Sequence, residues 1–169
     1  DQREVWRLTA EELNAALKVE RLAWPIYALD TIAYHGDPAE KIDIVINTHL
    51  HFDHCGGNTC REDGELVAAF PNAEYVINAQ EYEDANNPSQ RSRASYFSEN
   101  WLPLEQSGQI RLVSGNLEIA AGISVVQTPG HTLGHQSVEL VSDDKTLFYF
   151  GDLCPTSVHV PLPWIMSYD

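Results

Sequence analysis

Residues 41–48, "KIDIVINT", run straight into "HLHFDHCGG" at 49–57, and this junction constrains the fold more than any other feature. The first half is a short β-branched run, the pattern of a buried strand. The second half crowds His49, His51, Asp53 and His54 into six positions of a chain with only seven histidines. In an extended segment, side chains at i and i+2 share a face. His49 and His51 can therefore present imidazoles to one cation, and once the chain turns, Asp53 and His54 can face a second position nearby. Gly56 and Gly57 let the backbone bend tightly. One histidine in a loop could be chance; three with an aspartate directly after a strand call for a metal. Imidazole nitrogen and carboxylate oxygen suit zinc at an open, catalytic position.

Two further stretches repeat the arrangement of a strand, a glycine and a donor. "QTPGHTLGH" (127–135) carries His131 and His135 after Pro129-Gly130, and "FYFGDL" (148–153) carries Asp152 after Gly151. Three strand ends of this kind suit one site at the edge of a sheet, where loops on a rigid scaffold carry function.

The remaining pattern is α/β. Residues 9–24 read as an amphipathic helix with a capping box at Thr9 and Glu12, and a second helix is expected through "IYALDTIAY" (26–34). Strands are expected at 73–78, 109–113, 117–119 and 122–128, with a hairpin over 136–150 turning at "DDK". A helix is expected at 79–86, a polar stretch at 87–95, and a short helix around Tyr96–Leu102. The whole of 1–169 reads as a single domain.

The formal charge of −15, from 25 acids against 10 bases, opposes binding to nucleic acid, which depends on Lys and Arg. No apolar run approaches a membrane span and no secretory pattern opens the chain. Cys55, Cys60 and Cys154 do not make a disulfide framework in a chain of this length, which points to a reducing, cytoplasmic setting. A small-molecule substrate is the partner expected, and a homodimer stays open.

The motifs "HLHFDHCGGN", "PGHTLGH" and "FGDL" together resemble the metallo-β-lactamase superfamily of metal-dependent hydrolases. The resemblance implies a four-layer αββα sandwich with the metals between two sheets. By motif position, His49, His51 and His131 would hold one metal, Asp53 and His54 a second, and Asp152 would bridge them. Asp53 and Asp152 would also orient the attacking hydroxide that zinc makes available. His135 falls outside the ligand position and is expected to be structural. His35 and His159 are expected on the surface or in packing. Cys55 is expected to point away from the metals, and Cys154 to pack.

The pattern departs from the superfamily at both ends. A complete two-metal site carries one more histidine well past the bridging aspartate, and here only His159 follows Asp152. The front offers mostly helix where sheet strands are usual, and Ile32 stands where "Asp-Thr-Gly" would place glycine. The sandwich is therefore expected to be incomplete at both ends, completed by further chain or by a partner. The second of the two zinc ions would be under-ligated, and the segment alone is not expected to hold both tightly.

Within the superfamily, "THLHFDHCGGN" is similar to the acyl-homoserine lactonase branch, although Pro155 replaces the tyrosine usual there. "GDLCPTSVHVPLPWIMSYD" looks more like organophosphate and ester hydrolases, with Trp164, Ile165 and Tyr168 as candidate pocket residues. The expected function is hydrolysis of a small ester, lactone or phosphotriester, with glyoxalase-II-type thioester hydrolysis left open. No Gly-x-Ser-x-Gly elbow supports a serine mechanism. The alternatives are an iron-dependent persulfide dioxygenase-like oxidoreductase and a non-catalytic metal-binding fragment.

Overall fold

The structure is a computed structural model and describes residues 38–161. The helices expected at 9–24 and 26–34, His35, and the pocket residues Trp164, Ile165 and Tyr168 lie outside the described residues.

Among the described residues, nine strands form three sheets. β1 (Ile44–Ile46), β4 (Glu74–Asn78) and β5 (Ile110–Val113) make a parallel sheet with β4 in the centre, pairing Val45 with Tyr75 and Tyr75 with Ile110. From Tyr75 to Asn78 every residue of β4 is buried, the signature of a strand covered on both faces. On one face, Val45, Tyr75 and Ile77 pack with Ala85, Trp101 and Leu104. These last three come from α2 (Ala79–Asn86) and from the segment leading through α3 (Leu102–Gln106).

On the other face, Val76 and Val113 meet Val125, with Ile44 and Ile46 beside them. Val125 belongs to the antiparallel sheet of β6 (Leu117–Ala120), β7 (Ile123–Gln127), β8 (Gln136–Ser142) and β9 (Lys145–Tyr149). Ile123, Val138 and Leu140 alternate inward from that sheet, as a half-buried sheet requires. The described residues thus build a helix layer, a parallel sheet and an antiparallel sheet in succession. No described helix is long and apolar enough to cross a membrane.

The elements expected at 73–78, 79–86, 109–113 and 136–150 form with ends shifted by at most one residue. The short helix expected around Tyr96–Leu102 instead splits into a 3-10 turn at Ser98–Asn100 and α3 beyond it. Pro103 explains the split: it has no N–H to bond backwards, so it sits in the first turn of a helix rather than in its interior. Residues 59–68, unassigned by the pattern argument, form a hairpin of β2 (Thr59–Glu62) and β3 (Glu65–Ala68). Its turn is Asp63-Gly64, both at positive φ, as the favoured two-residue hairpin turns require.

What positions the site is a seam between the two main sheets. Gln136, the first residue of β8, donates its backbone N–H to Thr48 O at 2.9 Å and its side-chain amide to Asn47 O at 2.8 Å. These buried bonds fix the chain just past β1 against the start of β8. The loop between β7 and β8 and the end of β9 then overhang the same edge.

Candidate metal centre

Beyond β1 the chain bends at Thr48 and is extended at His51, whose φ and ψ are −61° and 145°. His49 and His51 are both buried, with ring centroids 4.7 Å apart. The chain then makes one helical turn, α1 (Phe52–Cys55), which swings His54 back so that its ring lies 4.1 Å from that of His49. His131 arrives from the β7–β8 loop, its Nε2 3.0 Å from His51 Nδ1. Asp152 arrives from a 3-10 turn after β9, its Oδ2 3.2 Å from His54 Nε2 and 3.4 Å from His131 Nε2.

Two groups of donor atoms result: His49, His51 and His131 in one, and His49, His54 and Asp152 in the other. Within each group the atoms lie within 4.8 Å of one another. Five of the six residues singled out in the sequence therefore converge from three separate loops. Asp53 is the exception. Its side chain is 59% exposed and its carboxylate only approaches His54 Nε2, at 3.5 Å.

Electrostatics divide the imidazoles. Burial, reinforced by repulsion from the neighbouring histidines, holds the His49 pKa well below its usual value, so His49 is neutral. Its Nδ1 lies 3.0 Å from Thr48 Oγ1. Its Nε2 is buried with no hydrogen-bond partner. Leaving such a nitrogen unsatisfied costs about 1–3 kcal/mol. A cation among the three imidazoles would use that lone pair, so the donor set fits a metal of the zinc type.

His54 behaves differently. Burial is the largest single influence and lowers its pKa, but the hydrogen bond to Asp152 and the charges of Asp152 and Asp53 together raise it. Asp152 is correspondingly held down, first by its hydrogen bond to His54, against burial, and further by the charges of His54, His131 and His135.

His135 does not join either group. Its Nε2 accepts from the Asp152 backbone N–H at 3.2 Å, so Nδ1 carries the proton and donates to Thr128 Oγ1 at 2.9 Å. Burial, with the charge of His131, takes its pKa down to about 4. Gly151 is required beneath it, because a Cβ there would stand 2.8 Å from His135 Nε2. Cys55 is buried and turned back, donating to Leu50 O at 3.2 Å. His159 sits away from the cluster, 2.8 Å from Thr156 Oγ1. Cys154 Sγ donates to Thr156 O at 3.3 Å.

The sequence matches the family described as "Metallo-beta-lactamase superfamily" over residues 10–167. The chain belongs to that superfamily. An N-acyl homoserine lactonase from Bacillus cereus is 34% identical over 111 residues, covering 66% of this chain and 37% of that protein. A probable metal-dependent hydrolase from Staphylococcus aureus has a similar structure, with a TM-score of 0.75 and 29% identity over 85% of this chain and 50% of that one. An N-acyl homoserine lactone hydrolase, solved with N-hexanoyl-L-homoserine at its catalytic metal centre, gives a TM-score of 0.56. It is 28% identical, over 72% of this chain and 42% of that one. This member of the superfamily thus spans little more than a third of the curated lactonase it matches.

Sequence reasoning missed the residues behind the imidazoles. Glu81, Tyr96 and Thr132 surround the first histidine group without belonging to it. A cavity of about 370 Å³ opens beside His51 and His131, lined by Tyr96, Thr132, Leu133, Ser89, Ser92 and Arg91 among others. The signal for Glu81 was its spacing of four from Ala85, which puts an acid on the buried stripe of α2.

Proposed function

We propose that this chain carries the metal-binding part of a hydrolase that cleaves a small ester or lactone, with His49, His51 and His131 as ligands of one cation. His54 and Asp152 would hold a second, with Asp53 drawn in beside them and Asp152 between the two. The observation that carries the reading is the buried His49 Nε2, without a hydrogen-bond partner inside a cluster of imidazoles from two loops. The lactonase relatives support the ester or lactone class by likeness. Zinc is the cation best suited to three imidazoles and a carboxylate.

When bound, such a cation lowers the pKa of water toward about 7 and polarises the carbonyl under attack. The chain's own residues supply the rest. His49 is kept neutral and so offers a lone pair without first losing a proton. Asp152, held ionised, can accept a hydrogen bond at Oδ2 from the attacking water and so orient it. His135, through the Asp152 backbone, fixes where that carboxylate stands. The cavity beside His51 and His131 gives the substrate room on the open side, among the hydroxyl groups of Tyr96, Thr132, Ser89 and Ser92. With 25 acids against 10 bases, a neutral substrate fits better than a polyanion.

The test is turnover by the zinc-loaded chain on a lactone, an aryl ester and a phosphotriester, beside His49→Ala and Asp152→Ala. Lactone or ester cleavage that both substitutions abolish is the expected result. A zinc-loaded chain that cleaves none of the three would end the hydrolase reading.

A further inference from the structure

Glu81 is a carboxylate with no exposed surface, on the first turn of α2, and nothing in the chemistry above uses it. Its three close polar contacts are all donors. Oε1 accepts from the Leu50 backbone N–H at 2.9 Å and from the Tyr96 hydroxyl at 3.0 Å, and Oε2 accepts from the Thr132 hydroxyl at 2.5 Å. Leu50 lies between His49 and His51. Tyr96 packs edge-on against the His51 ring, with centroids 4.9 Å apart. Thr132 follows His131. One carboxylate therefore ties down the backbone or a neighbour of all three imidazoles in the first group, across two loops.

The surroundings are built to keep that carboxylate in place. Asn78 caps α2, accepting from Gln80 N–H at 2.9 Å and Glu81 N–H at 3.4 Å. Gly134 brings the His131 loop so close that a Cβ there would stand 2.2 Å from the Glu81 nitrogen. Burial raises the Glu81 pKa, while the bonds from Thr132, Leu50 and Tyr96 oppose that rise. A carboxylate accepts at both oxygens, whereas an amide offers one acceptor and turns a donor toward the other partner.

We infer that Glu81 is the positioning residue of the first histidine group, holding the His49–His51 loop and the His131 loop at the separation one cation needs. The inference rests on the metal-site reading above. It differs from a role in general stability because its bonds all end beside one group of ligands, leaving His54 and Asp152 untouched. Groups bonded directly to metal ligands alter affinity by about 10–100-fold when removed, and Glu81, which bonds the neighbours of three ligands at once, should act on that scale.

The experiment is competitive zinc titration of the full chain and of Glu81→Gln, Thr132→Val, Tyr96→Phe and the exposed control Glu83→Gln. Absorption spectra of the cobalt-substituted proteins are recorded alongside. Glu81→Gln should weaken the tighter cation by about 10–100-fold and shift the cobalt bands. Thr132→Val and Tyr96→Phe, each removing one bond, should do the same to a smaller degree, and Glu83→Gln should do neither. Should Glu81→Gln fail to fold, the two single-bond variants carry the test. Zinc affinity and cobalt spectra unchanged in the folded variants, with only thermal stability lowered, would overturn the inference while leaving the metal site intact. A parent chain that binds neither zinc nor cobalt would instead overturn the metal-site reading on which it rests.

Discussion

The two donor groups share His49 but are built in opposite ways. In the first, His49 and His51 are buried and the loops that carry them are tied by uncharged or singly charged hydrogen bonds to Glu81. In the second, the side chains of His54 and Asp152 are each 20% exposed, and they are held mainly by attraction between a raised imidazole and a lowered carboxylate. The first arrangement is fixed by hydrogen bonds among buried groups. The second rests on one part-exposed contact, His54 Nε2 to Asp152 Oδ2 at 3.2 Å. The difference teaches that the first donor group is preorganised by buried hydrogen bonds and the second only in part.

His49→Ala should have the largest effect, because it removes the one unpartnered buried imidazole nitrogen from the first group. Binding of the tighter zinc equivalent should fall by more than the ~100-fold that loss of an outer partner brings, and turnover should fall to background. Equilibrium dialysis with metal analysis measures it. Retention of that tightly held equivalent would mean that His49 is not one of its ligands and that the comparison is wrong.

Gly134→Ala comes next. The added methyl would meet the backbone nitrogen of Glu81 at 2.2 Å and its Cα at 2.5 Å, and backbone cannot step aside as a flexible side chain can. Overpacking of this kind costs about 1–3 kcal/mol. The measurement is the midpoint of denaturant unfolding, with zinc affinity followed in parallel. An unchanged midpoint would show that the loop carrying His131 is free to move away from α2.

How far the sequence foretold this site depends on how locally each residue's position is determined. His49, His51 and His54 were legible because one strand and one turn set their directions, and Gly130 and Gly151 marked where His131 and Asp152 would emerge. Glu81 was harder to read. Its spacing from Ala85 was one signal, but "AQEYEDAN" carries three acids and looks like a solvated helix, and the donors that make Glu81 an acceptor in the core, Leu50, Tyr96 and Thr132, are distant in the chain. The hairpin at 59–68 had a readable signal in Asp63-Gly64, but its strands, "TCRE" and "ELVA", lack the alternation that flags a sheet. The same limit applies to Asp53, whose motif position implies a ligand while α1 turns its carboxylate outward.

Asp53→Asn tests that point and should have a smaller effect. The carboxylate contacts only His54, at 3.5 Å, so the tighter zinc equivalent should keep its affinity within a few-fold, as for loss of an exposed ion pair. The weaker equivalent should be the one that changes. Loss of the tighter one would place Asp53 in the first group and erase the distinction between the two.

The smallest signal comes from Cys55, which joins the two groups physically. It follows His54 on α1, its Sγ donates to Leu50 O at 3.2 Å, and Asn100 Nδ2 approaches that sulfur at 3.6 Å. Burial pushes the thiol up to about 12, so both access and thiolate are lacking at neutral pH. Cys60 and Cys154, only half-buried, should therefore react with an alkylating reagent at pH 8 while Cys55 lags by at least about tenfold. That lag corresponds to a local opening free energy above ~1.4 kcal/mol, and zinc should lengthen it, since a ligand that binds only the closed loop stabilises that state. If zinc protects Cys55 in the parent chain but not in Glu81→Gln, α1 opens together with the first group. If it protects both equally, α1 answers to His54 and Asp152 instead, and the two groups move as separate units.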